Sequence, residues 1–397
     1  MPQLSHQEYD VAIIGAGPVG LAMAIELARL GLATLVADRR PPVSEDAKAR
    51  PQLLVARAGD LAHLAHLGLA VDDPRLVSVL ATRSERDLAS GRSETGDVRA
   101  PRGVPPRPPD VATLSLQPPL ALVPIARLQR ALLDRAVHHG ADVQYACDVT
   151  RLRRHARGVS LTCADGSTAR AAMAIIATGA ARPLISESMQ AAPVVATEQR
   201  LIAGVFAIGG DRGRWVRVEL PLSGFVRPVR CTLLQTPVES EAGTALLVDT
   251  QIAGQPTEAW LRRCFDGVAH VLGLAGAPFL VEPQVFSTAT SAMPRHFIAG
   301  DGRAPVVIAG DAAQTGHVFS GQTCFVNVAL ALELGEQLRR ARAPIVDRKL
   351  HAPALLGALE LYSDESAIAA GILARASQRH QTQHAPGAWA LAGIARA

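Results

Sequence analysis

Gly15, Gly17 and Gly20 stand in Gly-x-Gly-x-x-Gly spacing, with Pro18 and Val19 inside the motif, and Asp38 follows 18 residues after the last glycine. That set of residues suits a dinucleotide. The first glycine permits a tight turn, the second lets the backbone approach a pyrophosphate, and the third lets a helix lie close on a sheet. Exposed N–H groups at the start of that helix hold phosphate oxygens. A carboxylate at Asp38, with Arg39 beside it, is placed to accept hydrogen bonds from a ribose diol. A second carboxylate, Asp311, sits in Gly310-Asp311-Ala312-Ala313 directly after an apolar run. An acid at a strand end followed by small residues can accept a hydrogen bond from a ribityl hydroxyl.

The elements around both motifs agree. Residues 11–14 form a continuous apolar run, read as a strand buried on both faces. Leu21, Ile25, Ala28 and Leu32 then recur at helical spacing, Gly31 marks the helix end, and residues 33–37 form a second strand ending at Asp38. This is a βαβ unit, the context in which the glycine motif becomes specific. FAD and NAD both fit such a unit. Its place near residue 1, and the distant Gly310-Asp311 after a strand at 306–309, favour FAD.

Composition narrows the class. The 397 residues are 48% hydrophobic, 19% charged and 4% aromatic, with a formal net charge of +4. Disorder is excluded by that apolar fraction, and the length suits two domains or one large domain with an insertion. All but two of the 40 basic residues are Arg, scattered rather than gathered in a stripe, which disfavours nucleic acid as a partner. Five separated cysteines (Cys147, Cys163, Cys231, Cys264 and Cys324) form no CxxC pair, so neither a metal site nor a disulfide framework is expected, and a reducing cytoplasm is. The longest apolar stretch, 11–37, is interrupted by Glu26 and Arg29, so no membrane span is expected. No Ser-His-Asp set, zinc motif, P-loop or second GxGxxG competes with the flavin reading.

With the glycine motif and the GDAA motif about 290 residues apart and in this order, the sequence resembles the flavin-dependent aromatic hydroxylases. That is the para-hydroxybenzoate hydroxylase group, which includes the ubiquinone-pathway enzymes. The resemblance covers about residues 9–75, 120–180 and 290–340. It implies an α/β fold: a Rossmann-like FAD-binding domain with an inserted α+β substrate domain built on a mainly antiparallel sheet. The FAD domain is expected over 1–75, 115–185 and 290–345, and the substrate domain over 76–114 and 186–289. A C-terminal helical segment is expected over 346–397, with helices at 353–361 and 366–375. Residues 215–220 alternate, as a strand with one wet face does, and 244–249 read as a more buried strand.

The same resemblance implies cofactor contacts from Arg50 and from Arg127 or Gln129 on the helix that lies along FAD, with the register between those two left open. Ser320, Gly321, Gln322 and Thr323 precede a helix at 326–338, whose N–H groups would stabilise anionic reduced flavin. Gln314, Thr315 and His317 match the ubiquinone branch. Thr323 and Phe325, however, replace its usual Gly and Asn, and Gly179 replaces an acid linked to flavin and pyridine-nucleotide handling. The implied activity is FAD-dependent monooxygenation of an aromatic or polyketide-like small molecule with O2, through a flavin C4a-hydroperoxide. NADH or NADPH is the transient reductant, or a partner flavin reductase supplies the electrons. A dehydrogenase or reductase of the same fold, and a catalytically silent flavin-binding partner of a biosynthetic complex, stay as alternatives. Halogenation does not fit, since Trp-x-Trp-x-Ile-Pro is missing.

Overall fold

The computed structural model describes residues 8–42, 52–87, 92–97, 119–179, 184–185, 189, 192–210, 213–220, 222, 229–237, 243–249, 256–316 and 322–382. Two sheets organise them. The first has eight strands and opens with β1 (Glu8–Ile14), which pairs in parallel with β2 (Thr34–Asp38). On its other edge β1 pairs in parallel with β10 (Thr168–Ile176), and β10 pairs in turn with β17 (Val306–Ile308). At the margins lie β7 (Asp142–Tyr145), on β2, and β16 (Phe297–Ile298), on β17. A hairpin of β8 (Val149–His155) and β9 (Gly158–Cys163) continues into β10. The central strands are apolar without alternation because both faces are buried in one core, packed with helices and with the β8–β9 hairpin.

Those helices are α1 (Pro18–Arg29), α3 (Ile125–His138), α5 (Thr323–Arg340) and α7 (Pro353–Thr382), all contributing to one large core with β1, β2, β10 and β17. Shorter helices α2 (Ala58–His66) and α6 (Arg342–Val346) fill its margins. Helix α7 runs unbroken through 362–365, where the sequence suggested an interruption. Tyr362 is fully buried there, and its hydroxyl donates to the Ile308 carbonyl at 3.1 Å, so one face of the segment is anchored to β17 while Asp364 stays exposed.

The second sheet has ten strands. Five run β11 (Val194–Phe206), β12 (Gly213–Leu220), β13 (Val229–Gln235), β14 (Thr244–Asp249) and β15 (Phe279–Ala292). They join β3 (Leu53–Arg57), β4 (Ser78–Asp87), β5 (Arg92–Asp97) and β6 (Pro119–Pro124) on one side, and the two-residue β18 (Gln314–Thr315) on the other. Pairing is antiparallel except between β4 and β12. The strands β3 and β6, from segments expected with the FAD domain, thus pair within this larger sheet. Helix α4 (Glu258–Val271) covers one face, its Leu261, Phe265 and Val268 packing on Ile202, Leu246 and Val248.

Two expectations are corrected. The face expected to be wet carries Trp215, which is buried with Leu234 and Ala245, and the Arg217 guanidinium lies over its ring at 5.2 Å. Around Trp215 the alternation therefore separates two packed layers, not core from solvent. Likewise, Cys147 and Cys163 are joined as a disulfide, their Cα atoms 6.0 Å apart, whereas no cysteine pair was expected. The β8–β9 hairpin folds back and closes a separation of 16 residues. Among the described residues no helix is long and apolar enough to cross a membrane.

Candidate cofactor site

The three glycines of the first motif serve three physical needs. Gly15 has φ +115°, and a Cβ there would lie 2.3 Å from the Ala177 carbonyl oxygen at the end of β10. Gly20 lies so close under the turn that its Cβ would meet the Gly15 oxygen at 2.0 Å. Gly17 is different, because a Cβ there would meet nothing within 4 Å. Its site is open, as it must be for a ligand to reach the backbone. Gly17 caps α1 without any side-chain acceptor, and Pro18 takes the first helical position, where no N–H is needed. The remaining N–H groups of that turn are therefore presented to an anion. These residues fit a pyrophosphate.

Asp38 stands at the end of β2 with 4% exposure. One carboxylate oxygen accepts from the Ala16 N–H at 2.7 Å and from Arg40 Nη2 at 2.6 Å; the other accepts from the Arg40 N–H at 2.8 Å and Arg40 Nε at 2.9 Å. Burial alone would push this carboxyl up. The Arg40 side chain and backbone donors, its charge and the Ala16 N–H outweigh burial and hold it below the ordinary carboxylate range. Arg40 itself is 43% exposed at its side chain, whereas Asp38 is buried. Arg39, the sequence candidate, is exposed. The neglected signal was the i, i+2 spacing, which lets an arginine fold back onto an acid at a strand end.

Gln129 and Arg127 separate clearly. Gln129 is 1% exposed and its Nε2 donates to the Ala16 carbonyl inside the glycine loop. Arg127 instead donates to the Arg75 carbonyl at 2.8 Å on the surface.

The second motif comes to the same place. Gly310 follows β17 with φ +66°, and a Cβ there would lie 3.3 Å from Val19 Cβ at the start of α1. Asp311 follows in a single 3₁₀ turn and is exposed, and its carboxylate accepts from Asn327 Nδ2 at 3.2 Å. Asn327 lies on α5 with 1% exposure. The sequence reading passed over it, since position 325 rather than 327 was compared with the family's asparagine. Gln322 is the N-cap of α5, and Thr323 begins the helix, its Oγ1 accepting from the Gly316 N–H at 3.0 Å. Arg50, Ser320 and Gly321 lie outside the described residues.

Known proteins resemble this chain in sequence and in fold. A flavin-dependent monooxygenase of Mycobacteroides abscessus is 29% identical over 161 residues, covering 39% of this chain and 31% of that protein. The 12-dehydrotetracycline 5-monooxygenase/anhydrotetracycline 6-monooxygenase of Streptomyces rimosus is 32% identical over 155 residues, 39% of this chain and 27% of that protein. The matched stretch thus spans less than a third of either relative. Among solved structures, aklavinone-11 hydroxylase with FAD and aklavinone superposes with TM-score 0.69 at 22% identity, over 95% of this chain and 69% of that one. Pseudomonas aeruginosa PqsL, described as a probable FAD-dependent monooxygenase, gives 0.68 at 17% identity, over 95% and 96%. The FAD binding domain family model matches residues 8–338, five-sixths of the sequence, and the chain belongs to that family.

Proposed function

We propose that this protein is an FAD-dependent monooxygenase that uses NAD(P)H and O2 to hydroxylate an aromatic or polyketide-like small molecule. One observation carries the reading. The turn bearing Asp311 runs directly into β18, which pairs with β15 at Ser291 and Ala292 and so belongs to the larger sheet. The ribityl end of the cofactor would therefore lie where the two sheets join, with its ring facing the larger sheet. FAD, when bound, supplies hydride acceptance and oxygen activation. The chain supplies the rest: the glycine loop holds the pyrophosphate, Asp38 the ribose and Asp311 the ribityl chain. The first turn of α5 offers positive dipole to the ring. Buried apolar residues of the larger sheet keep water from the reacting centre.

Two similar proteins are named for tetracycline and aklavinone chemistry, which supports a polycyclic aromatic polyketide as substrate. The described residues contain one βαβ nucleotide unit, which supports a pyridine nucleotide that approaches transiently. Gly179 in place of the family's acid favours a second source of electrons, reduced flavin from a partner reductase. Anaerobic mixing of the holoenzyme with NADH or NADPH, with and without tetracyclic phenols, separates the two. Bleaching of the flavin band followed by a hydroxylated product on admitting O2 is the expected result. A band that stays oxidised, in enzyme that consumes O2 after dithionite reduction, passes the role to a reductase. Reduced enzyme that turns over no added phenol, and reacts with O2 only to release hydrogen peroxide, sinks the monooxygenase reading.

A further inference from the structure

Asp38 holds as many hydrogen bonds as its carboxylate can accept. One oxygen accepts from the Ala16 N–H and Arg40 Nη2, and the other from the Arg40 N–H and Arg40 Nε, all within 2.6–2.9 Å. A carboxylate has about four lone-pair positions, so no place is left for a further donor. A ribose diol brings two hydroxyl donors and needs two of those places. The main-chain donors are fixed. Ala16 lies in the glycine turn between β1 and α1. The backbone of residues 38–40 is pinned from its other side, where the Cys147 N–H donates to the Asp38 carbonyl and the Ala146 N–H to the Arg40 carbonyl, each at 3.0 Å. The Arg40 side chain is held by nothing else: it is 43% exposed, and its guanidinium donates to no acceptor but Asp38 among the described residues.

We propose that Arg40 is an internal competitor for this acid: its guanidinium occupies the two positions on Asp38 that the 2′- and 3′-hydroxyls of an adenosine diphosphate group need, and the cofactor seats its adenosine end by exchange with it. This rests on the FAD reading of the site. Asp38 is only 4% exposed, but the side chain lying on both its oxygens reaches the surface, so its departure opens the acid to a ligand. The exchange is uphill at Asp38 itself, because two neutral hydroxyls replace two charge-assisted donors. Contacts elsewhere must offset that loss, and the helix N-terminus at Gly17 supplies them to a ligand that carries phosphates. Arg40 thus sets how tightly the adenosine half is held, and how much of that grip the diol contributes.

A cycle that pairs a change in the residue with a change in the ligand tests this. On apoprotein of the full chain, wild type and Arg40→Met, Kd is measured by flavin fluorescence for FAD. Calorimetry gives it for ADP and for 2′,3′-dideoxyadenosine diphosphate, which lacks the diol. The ratio of the two diphosphate affinities isolates the diol and cancels any general effect of losing a positive charge. Wild type should show a small penalty for losing the diol, because the two hydroxyl bonds gained are offset by the two Arg40 bonds lost. That penalty should be about five- to tenfold larger in Arg40→Met, where nothing opposes the hydroxyls. Arg40→Lys should fall between them, since an ammonium is a point donor that cannot bridge both oxygens, and it carries the test if Arg40→Met does not fold. An equal penalty in wild type and variant overturns the proposal. A smaller penalty in the variant overturns it too, by making Arg40 a partner of the bound ribose. Wild-type apoprotein that binds neither FAD nor ADP refutes the FAD reading itself, a separate failure.

Discussion

A methyl group placed on Gly310 would lie 3.3 Å from Val19 Cβ, so the two cofactor motifs, almost 300 residues apart in the chain, touch. Val19 belongs to the first turn of α1, which we propose holds the pyrophosphate, and Gly310 precedes Asp311, the acid proposed for the ribityl chain. The spacing between these backbones sets the distance between the two ends that grip one extended ligand.

Gly310→Ala tests that contact. The residue has φ +66°, and its new methyl would press on Val19. Left-handed strain for a non-glycine residue costs about 1–2 kcal/mol before any displacement. We expect a lower melting temperature and FAD affinity reduced by about tenfold, read by calorimetry and fluorescence titration. A variant matching wild type in both would show that the contact is slack.

Gly20→Ala should be more severe, because its Cβ would stand 2.0 Å from a main-chain oxygen that cannot rotate away. Helix α1 must lift from the sheet, at a cost of about 3 kcal/mol or more. Insoluble or FAD-free protein is expected. Gly17→Ala, with nothing within 4 Å, should fold normally and lose only cofactor. Equal behaviour of the two variants would refute this division of roles.

Asp38→Asn keeps the shape and removes the charge. Arg40 then loses its partner, and a ribose diol loses a charge-assisted acceptor worth about 1.5–3 kcal/mol. FAD should bind at least tenfold more weakly, while FMN, which has no adenosine half, should be indifferent to the change. A substitution that weakens both flavins alike would place Asp38 elsewhere.

His296 supplies a pH dependence of stability. It is 3% exposed, its Nε2 has no hydrogen-bond partner among the described residues, and Ser363 Oγ lies 3.4 Å from its Nδ1. Burial lowers the imidazole from 6.5 to about 4, with Ser363 opposing. Between those values the unfolded chain binds a proton that the folded one refuses. The contribution is therefore complete above about pH 6.5 and is lost as pH falls through 4, on the order of 3 kcal/mol. Urea midpoints measured from pH 7 to 4 should fall for wild type and stay flatter for His296→Leu. Parallel curves would place the titration in other groups.

Much of the candidate site's framework was legible because its signals are local. A glycine turn, an apolar strand and a terminal acid at Asp38 or Asp311 follow one another within a few residues, and backbone geometry dictates each. What escaped depends on which way a side chain turns. Arg40 rather than Arg39 meets Asp38 because residues two apart at a strand end share a side. Gln129 lies on the buried face of α3, whereas Arg127, two positions earlier, lies on the outer one. Asn327 was hidden for the same reason: only the α5 register says that it, and not Phe325, reaches Asp311. The Cys147–Cys163 pair needed a hairpin whose register no spacing rule supplies.

The order of strands in the smaller sheet also bears on how the protein is born. Strand β1 is flanked by residues 34–38 on one side and by 168–176 on the other, and residues 306–308 close the far edge of β10. A ribosome releasing the chain from its N-terminus delivers the phosphate loop early, then must synthesise about 290 further residues before Asp311, the acid proposed for the ribityl chain, exists. Until then the apolar edge of β10 has no partner and invites misassembly or chaperone binding. Cofactor capture is thus a late event in the life of each molecule, and a ribosome stalled before residue 306 leaves a chain that can hold only one end of FAD.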